Sequence, residues 1–216
     1  MSMMLLMVQC LLLSNDEGRR MRKMHIWVST LSILLASSVA SATQWQINNN
    51  ESQVNFISTK KVNIAEVHQF DKIAGNLAET GEFSLAIDLA SVNTGIEIRD
   101  SRMKEFLFNV ADFPKATITA QLSPEQIAQI TVGQTKPLSI DGFFELHGQK
   151  QEMTFDVLVT KVTENELLVV SSHPVILSVD DYKLTQGVEK LRELAGLPNI
   201  SHAVPVSFYL TLNATN

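Results

Sequence analysis

The chain has 216 residues, with 17 basic and 23 acidic side chains and a formal net charge of −6 at pH 7. This acidic balance argues against nucleic acid as a partner, because binding to phosphates requires a basic face. The length is sufficient for one domain with a substantial hydrophobic core behind a short leader.

Residues 1–42 are predicted to be an N-terminal extension followed by a cleavable signal peptide. Basic residues begin at Arg19, a mostly apolar run covers residues 26–39, and the small residues Ala40-Ser41-Ala42 suit a cleavage site. An uncleaved membrane anchor is the alternative, although the apolar run is short and rich in serine.

Residues 43–216 are predicted to form one exported domain. The only cysteine, Cys10, lies in the leader, so this domain must be held together by its core and not by disulfides. An export signal without disulfides is most consistent with a bacterial periplasm.

Alternating apolar residues predict that the exported domain consists mainly of β-strands. The clearest alternation covers residues 81–89, in which Phe83, Leu85 and Ile87 share one face. Gly75 marks a bulge or a close approach of two backbones, and Gly142 interrupts the strand around it. The predicted strands cover residues 52–60, 62–70, 73–77, 81–89, 116–122, 138–146, 153–159, 167–179 (one or two strands) and 203–212.

One short helix is predicted near residues 185–196. Val188, Leu191 and Leu194 recur at helical spacing, Gly196 occupies the usual place of a C-terminal glycine, and Pro198 follows. A shorter helical turn is predicted at residues 123–126.

The pattern therefore predicts an all-β fold, either an up-and-down barrel or a sandwich. An eight-stranded barrel can hold one small ligand in its interior. A phenylalanine lies on the apolar face of each of five predicted strands, and these side chains could equally line a cavity or fill a solid core. The five are Phe56, Phe83, Phe144, Phe155 and Phe208.

Residues 91–114 interrupt the strands and carry the densest chemistry of the chain. Arg99, Asp100 and Arg102 precede an apolar cluster that includes Phe106 and Phe108. We expect this insertion to plug or cover one end of the fold. Its arginines either form an ion pair that fixes the insertion or meet a polar or anionic ligand head, for which the guanidinium group is well suited.

No catalytic residue, metal site or cofactor is predicted. The four histidines after residue 42 lack metal-ligand spacing, and no HExxH or CxxC motif occurs. Two S-x-x-K matches begin at Ser58 and Ser101, but no K-T-G follows them, and no G-x-S-x-G is present.

Several short motifs occur along the predicted strands and the insertion. They are Ser52-x-Val54-x-Phe56, Gly81-x-Phe83, Ser91-Val92-x-Thr94-Gly95 with Arg99-Asp100, Phe113-Pro114, and Asp141-Gly142-x-x-x-Leu146-His147-Gly148. Together they resemble the YceI-like family of secreted bacterial polyisoprenoid-binding proteins. The resemblance implies a lipocalin-like, antiparallel eight-stranded barrel that holds a long isoprenoid chain, polyprenyl or quinone-like, in an apolar interior.

The predicted function is binding of an isoprenoid lipid, or another apolar small molecule, for transport, storage or scavenging. Two alternatives are an enzyme acting on an apolar substrate in the barrel and a solid-cored stress or interaction protein without a ligand. Transient contact with a membrane surface is expected, and the protein would be a monomer or a homodimer. The predicted ligand-binding residues are Phe56, Phe83, Leu85, Ile87, Arg99, Phe106, Phe108, Phe144, Leu146, Phe155 and Phe208.

Overall fold

The structure is a computed structural model that describes residues 44–215. The predicted N-terminal extension and signal peptide, residues 1–42, lie outside the described residues, and the division of the chain at residue 42 stays a prediction.

Residues 44–215 contain twelve strands, three short α-helices and one π-helical turn. The strands are β1 (Gln44–Ile47), β2 (Gln53–Lys60), β3 (Ile64–Phe70), β4 (Ile73–Leu77), β5 (Glu82–Asp88), β6 (Val92–Asn93), β7 (Lys115–Gln121), β8 (Thr135–Leu146), β9 (Gln149–Thr163), β10 (Glu166–Ser171), β11 (Val175–Ser178) and β12 (Ala203–Thr215). The helices are α1 (Glu97–Arg102), the π-helical turn (Met103–Leu107), α2 (Pro124–Ala128) and α3 (Thr185–Leu194).

The strands close into an antiparallel barrel with eight strand positions, which we call staves, each made of one strand or of two consecutive strands. Four staves consist of two consecutive strands each, namely β1 with β2, β3 with β4, β5 with β6, and β10 with β11. Each stave pairs with the next along the chain, and the ring closes where β12 pairs with both β1 and β2. The predicted all-β, lipocalin-like eight-stranded barrel is confirmed.

The period of two explains which side chains enter the barrel. In β5, Leu85 and Ile87 are buried, whereas Glu82 at its start is exposed. The same alternation places Val54 and Phe56 of β2 inside. Burying one face of every strand in this way supplies most of the stability of a barrel that has no disulfide.

Two glycines allow neighbouring strands to approach closely. A Cβ atom on Gly75 would lie 2.2 Å from the carbonyl oxygen of Ser84, so the predicted close approach is confirmed. A Cβ atom on Gly142 would lie 2.6 Å from the carbonyl oxygen of Thr119. The predicted interruption at Gly142 is wrong, because β8 runs unbroken through it and the glycine serves the pairing with β7.

The insertion and the predicted helix form a lid over one end of the barrel, which we define as α1, the π-helical turn and α3. The helix predicted at 185–196 is α3, which ends two residues earlier. It packs so tightly on the π-helical turn that a Cβ atom on Gly187 would lie 2.6 Å from the carbonyl oxygen of Phe106. None of the helices in residues 44–215 is long and apolar enough to cross a membrane.

Candidate ligand-binding cavity

A cavity of about 440 Å³ lies inside the barrel beneath the lid. This volume falls within the range of small-molecule binding sites. Apolar side chains from the strands form most of its wall, and Met103, Leu107, Val188 and Leu191 of the lid complete it. The interior of the barrel is therefore not filled by its own side chains.

Nine of the eleven predicted ligand-binding residues line this cavity. They are Phe56, Leu85, Ile87, Arg99, Phe108, Phe144, Leu146, Phe155 and Phe208. Their contact with a ligand stays a prediction. Alternation within strands was the signal that brought most of them together, since each strand residue in this set lies on the inward face.

Phe83 and Phe106 lie elsewhere. Phe83 lines a second, apolar cavity of about 60 Å³, which shares Leu85, Phe155 and Phe208 with the larger one. The apolar interior thus continues toward the opposite end of the barrel. Phe106 lines neither cavity and is 37% exposed, because the π-helical turn directs Leu107 inward and leaves its neighbour outside.

The cavity opens at the end of the barrel where β2 ends and α1 begins, and we call this end the mouth; the turn at residues 61–63 connects β2 to β3 at the same end. Ile96 and Ile98 of the insertion line the cavity and are also exposed to solvent, which places the opening beside them. Lys60, at the end of β2, lines the cavity at the same end.

Arg99 fixes the insertion to the barrel at the mouth. Its Nη1 donates to Glu66 Oε2 at 2.8 Å, and its Nε and Nη2 donate to Thr94 Oγ1 and the Thr94 carbonyl oxygen at 2.8 and 2.7 Å. Asp100 is not its partner, but instead accepts from the backbone nitrogen and hydroxyl of Thr94. The structure therefore contains an ion pair that fixes the insertion, and its acidic partner is Glu66.

Glu66 joins two cations. Lys60 Nζ donates to the same Oε2 atom at 2.7 Å. The hydrogen bond from Lys60, together with the positive charge of Arg99, holds the pKa of the Glu66 carboxyl below its ordinary value. One carboxylate is thus shared by two cations, and Arg102 adds a third cation to the lining of the cavity.

His68 lines this cavity and was not among the predicted ligand-binding residues. It is 4% exposed, lies directly opposite Phe56 in the β2–β3 ladder, and has a ring centroid 5.2 Å from that of Phe56. Its Nε2 is 2.9 Å from Ser58 Oγ, but its Nδ1 is buried without a hydrogen-bond partner. His68 and Phe70 are two positions apart in β3 and therefore share a face. The pairing of β3 with β2, which is not evident from the sequence, shows that this face points into the barrel.

Burial keeps both polar rings of the cavity neutral. Desolvation, and after it the charge of Arg99, lowers the pKa of His68 below its ordinary value. Burial also raises the pKa of Tyr182 to about 12, and its ring meets that of Phe144 edge-on at 5.3 Å. Within residues 44–215 no three His, Cys, Asp or Glu side chains converge in a way that could hold a metal ion.

Comparison with known proteins assigns this barrel to a family. A sequence model of the YceI-like domain matches residues 45–212. The chain belongs to the YceI-like family. No match was found among curated proteins.

Three solved structures show how this YceI-like chain relates to others. A polyisoprenoid-binding domain from Saccharophagus degradans, described as implicated in plant cell wall breakdown, is 34% identical with a TM-score of 0.78, over 79% of this chain and 98% of that one. Burkholderia cenocepacia BcnA is 16% identical with a TM-score of 0.60, over 76% and 98% of the two chains. Campylobacter jejuni YceI protein is 13% identical with a TM-score of 0.51, over 69% and 85%. The last two show a shared fold.

Proposed function

We propose that this YceI-like protein is a binding protein, without catalytic activity, that holds the isoprenoid tail of a lipid inside the barrel. The observation that carries the proposal is the cavity of about 440 Å³ with its largely apolar wall. The 34% identity to a polyisoprenoid-binding domain supports the same class of ligand.

The energetics of burial favour such a ligand. Each CH₂-sized group of the tail gains about 0.8 kcal/mol on transfer from water to an apolar site. A few isoprene units therefore offset the loss of translational and rotational freedom on binding. The wall offers this gain through Leu85, Ile118, Phe155 and Phe208, which carry no polar group to be desolvated.

The biological role that we propose is transport, storage or scavenging of the lipid in the periplasm. The signal-peptide pattern predicted for residues 1–42 supports export. A water-soluble carrier is needed wherever a tail of this kind must leave a bilayer, because the tail alone is almost insoluble.

We further propose that the mouth contacts a lipid bilayer while the tail is exchanged. Exposed apolar side chains lie at this end of the barrel, namely Val62, Ile64, Ile96 and Ile98. Because Ile96 and Ile98 also line the cavity, they would join the bilayer interior to the interior of the barrel. Lys61 at the tip of the hairpin would face anionic head groups.

Native mass spectrometry tests the binding function. The full chain, expressed in a bacterial host and purified without detergent, should carry an adduct whose mass fits repeating isoprene units. The adduct should be released under denaturing conditions, because the lipid would be bound without a covalent bond. Protein of bare mass that remains bare after incubation with prenyl lipids would contradict the proposal.

A further inference from the structure

The wall of the cavity contains one buried polar atom without a partner, Nδ1 of His68. We propose that this atom forms a hydrogen bond with a neutral oxygen, a carbonyl or a hydroxyl, at the head of the bound lipid. The inference rests on the proposed function, because it assigns a specificity to the same cavity.

The position of His68 leaves a ligand as the available partner. Phe56 lies opposite it and Phe70 follows on the same face, with the two phenylalanine rings 5.3 Å apart. The nearest hydroxyl, Ser58 Oγ, is already 2.9 Å from the other ring nitrogen. Buried polar groups in native proteins almost always find a partner, so an unpartnered nitrogen on a ring that lines the cavity indicates what the cavity accepts.

Because the His68 ring is neutral, the position of its one proton decides whether the partner of Nδ1 is a hydrogen-bond acceptor or a donor. If Ser58 donates to Nε2, then Nδ1 carries the proton and seeks an acceptor such as a carbonyl oxygen. If Ser58 accepts from Nε2, then Nδ1 is an acceptor and seeks a hydroxyl. Both tautomers suit a neutral oxygen.

The hydrogen bonds at the mouth disfavour an anionic head such as a diphosphate. Each of the three guanidinium nitrogens of Arg99 already donates to Glu66 or Thr94, and Lys60 also donates to Glu66. Nη1 of Arg102 donates to the Leu194 carbonyl oxygen at 3.3 Å. An anion would have to displace the Glu66 carboxylate from its two cations and would be repelled by it.

The order of side chains along β2 and β3 orients the lipid. From the mouth inward, the inward-facing residues are Lys60, then the pair Ser58 and Glu66, then His68 opposite Phe56. Deeper positions are apolar. A head held at His68 would therefore place the tail in the deeper interior, toward the second cavity.

Three probes with matched tails test the assignment on the full-length protein. They are geranylgeraniol, geranylgeranyl diphosphate and the isoprenoid hydrocarbon of the same chain length. We expect the alcohol to bind roughly three- to tenfold more tightly than the hydrocarbon, as one neutral hydrogen bond would give. The diphosphate should bind no more tightly than the alcohol.

Variants of His68 separate the hydrogen bond from packing. His68→Leu should abolish the preference for the alcohol and leave hydrocarbon affinity within about twofold. His68→Asn should keep the preference, because its amide can replace Nδ1. His68→Gln should lose it, since the longer amide reproduces the Ser58 contact instead.

Each outcome of the probe series decides between the two proposals. If none of the probes binds, the proposed function fails. If the alcohol and hydrocarbon bind equally and His68→Leu changes neither, binding stands and the His68 assignment is overturned. Tightest binding by the diphosphate, retained in His68→Leu, would likewise overturn it in favour of a charged head. The wild-type series needs no variant to fold.

Discussion

The ion pair of Arg99 and Glu66 holds the lid on the barrel, whereas the residue that we propose to bind the ligand is the neutral ring of His68. Arg99 attracts attention in the sequence because it lies beside an apolar cluster, yet each of its three guanidinium nitrogens donates a hydrogen bond within the protein. His68 attracts none, although its Nδ1 is the unsatisfied polar atom of the cavity wall. Burial without a partner is thus a better indicator of ligand contact here than formal charge.

Replacing Arg99 should therefore lower stability and not affinity. Arg99→Ala removes hydrogen bonds to Thr94 and Glu66 and should cost about 1 kcal/mol, since the pair is partly exposed. The thermal midpoint should fall by roughly 2–4 °C. Affinity for geranylgeraniol should change less than about twofold, because the deeper contacts of the tail are retained.

Arg102→Ala is the matched control for Arg99→Ala. Its guanidinium makes one hydrogen bond, of 3.3 Å, to the Leu194 carbonyl oxygen, so its thermal midpoint should fall less. Scanning calorimetry and a binding titration on both variants give the comparison. A clear loss of affinity in Arg99→Ala at unchanged midpoint would restore the arginine as a head-group contact.

At the scale of elements, the β2–β3 hairpin combines strain with exposure. Its turn places Lys61 and Val62 at positive φ angles of 49° and 69°. A β-branched side chain is strained in that region, and Val62 is nonetheless 72% exposed. A strained and exposed apolar residue at this end of the barrel favours the proposed contact with a bilayer.

A charge at this tip should weaken membrane contact without harming the fold. Val62→Asp should reduce co-sedimentation with anionic phospholipid vesicles and slow the transfer of a prenyl lipid to them severalfold. Stability should hold or rise, because aspartate tolerates positive φ better than valine does. Equal vesicle binding by the wild type and the variant would argue against contact through the mouth.

Val132→Asp is the matched control for the hairpin variant. Val132 is also an exposed valine, but it lies between α2 and β8, at the end of the barrel opposite the mouth. Its replacement should leave vesicle binding and lipid transfer unchanged. A parallel loss in both variants would indicate a general effect of added negative charge.

The long strands were predictable from sequence, whereas the short strand β6 and the contacts between distant segments were not. Period-two alternation located β5 within a residue at each end, because its side chains separate cleanly into buried and exposed faces. The short strand β6 has two residues and carries no period. The partner of Arg99 was not predictable, because Glu66 lies 33 positions away and the pairing of β3 with β6 brings the two together.

At the scale of the whole molecule, the sequence does not distinguish a hollow barrel from a solid one. Inward phenylalanines such as Phe144 and Phe155 are expected in either case, and both are buried. The interior is hollow because the summed volume of the inward-facing side chains is smaller than the volume that the barrel encloses. Ala116 shows this, since it is 2% exposed and places only a methyl group against the larger cavity.

The hollow interior should cost stability that a larger side chain can restore. Ala116→Leu adds three carbons where the cavity can accept them, so unfolding free energy should rise by about 2 kcal/mol. The same carbons would occupy space proposed for the tail, and affinity for geranylgeraniol should fall at least tenfold. Urea unfolding and a binding titration measure the two effects.

Ala120→Leu provides the control on the same face of β7. Ala120 lines only the second cavity of about 60 Å³, and it lies close to Gly142, where a Cβ atom would come within 3.0 Å of it. Overpacking there should cost about 1–3 kcal/mol and leave the alcohol affinity nearly unchanged. Opposite signs of the stability change in the two variants would show that the larger cavity is empty space kept for a ligand. A loss of stability in both would mean that the barrel closes around Ala116 in solution, and the space for the tail would have to be sought elsewhere.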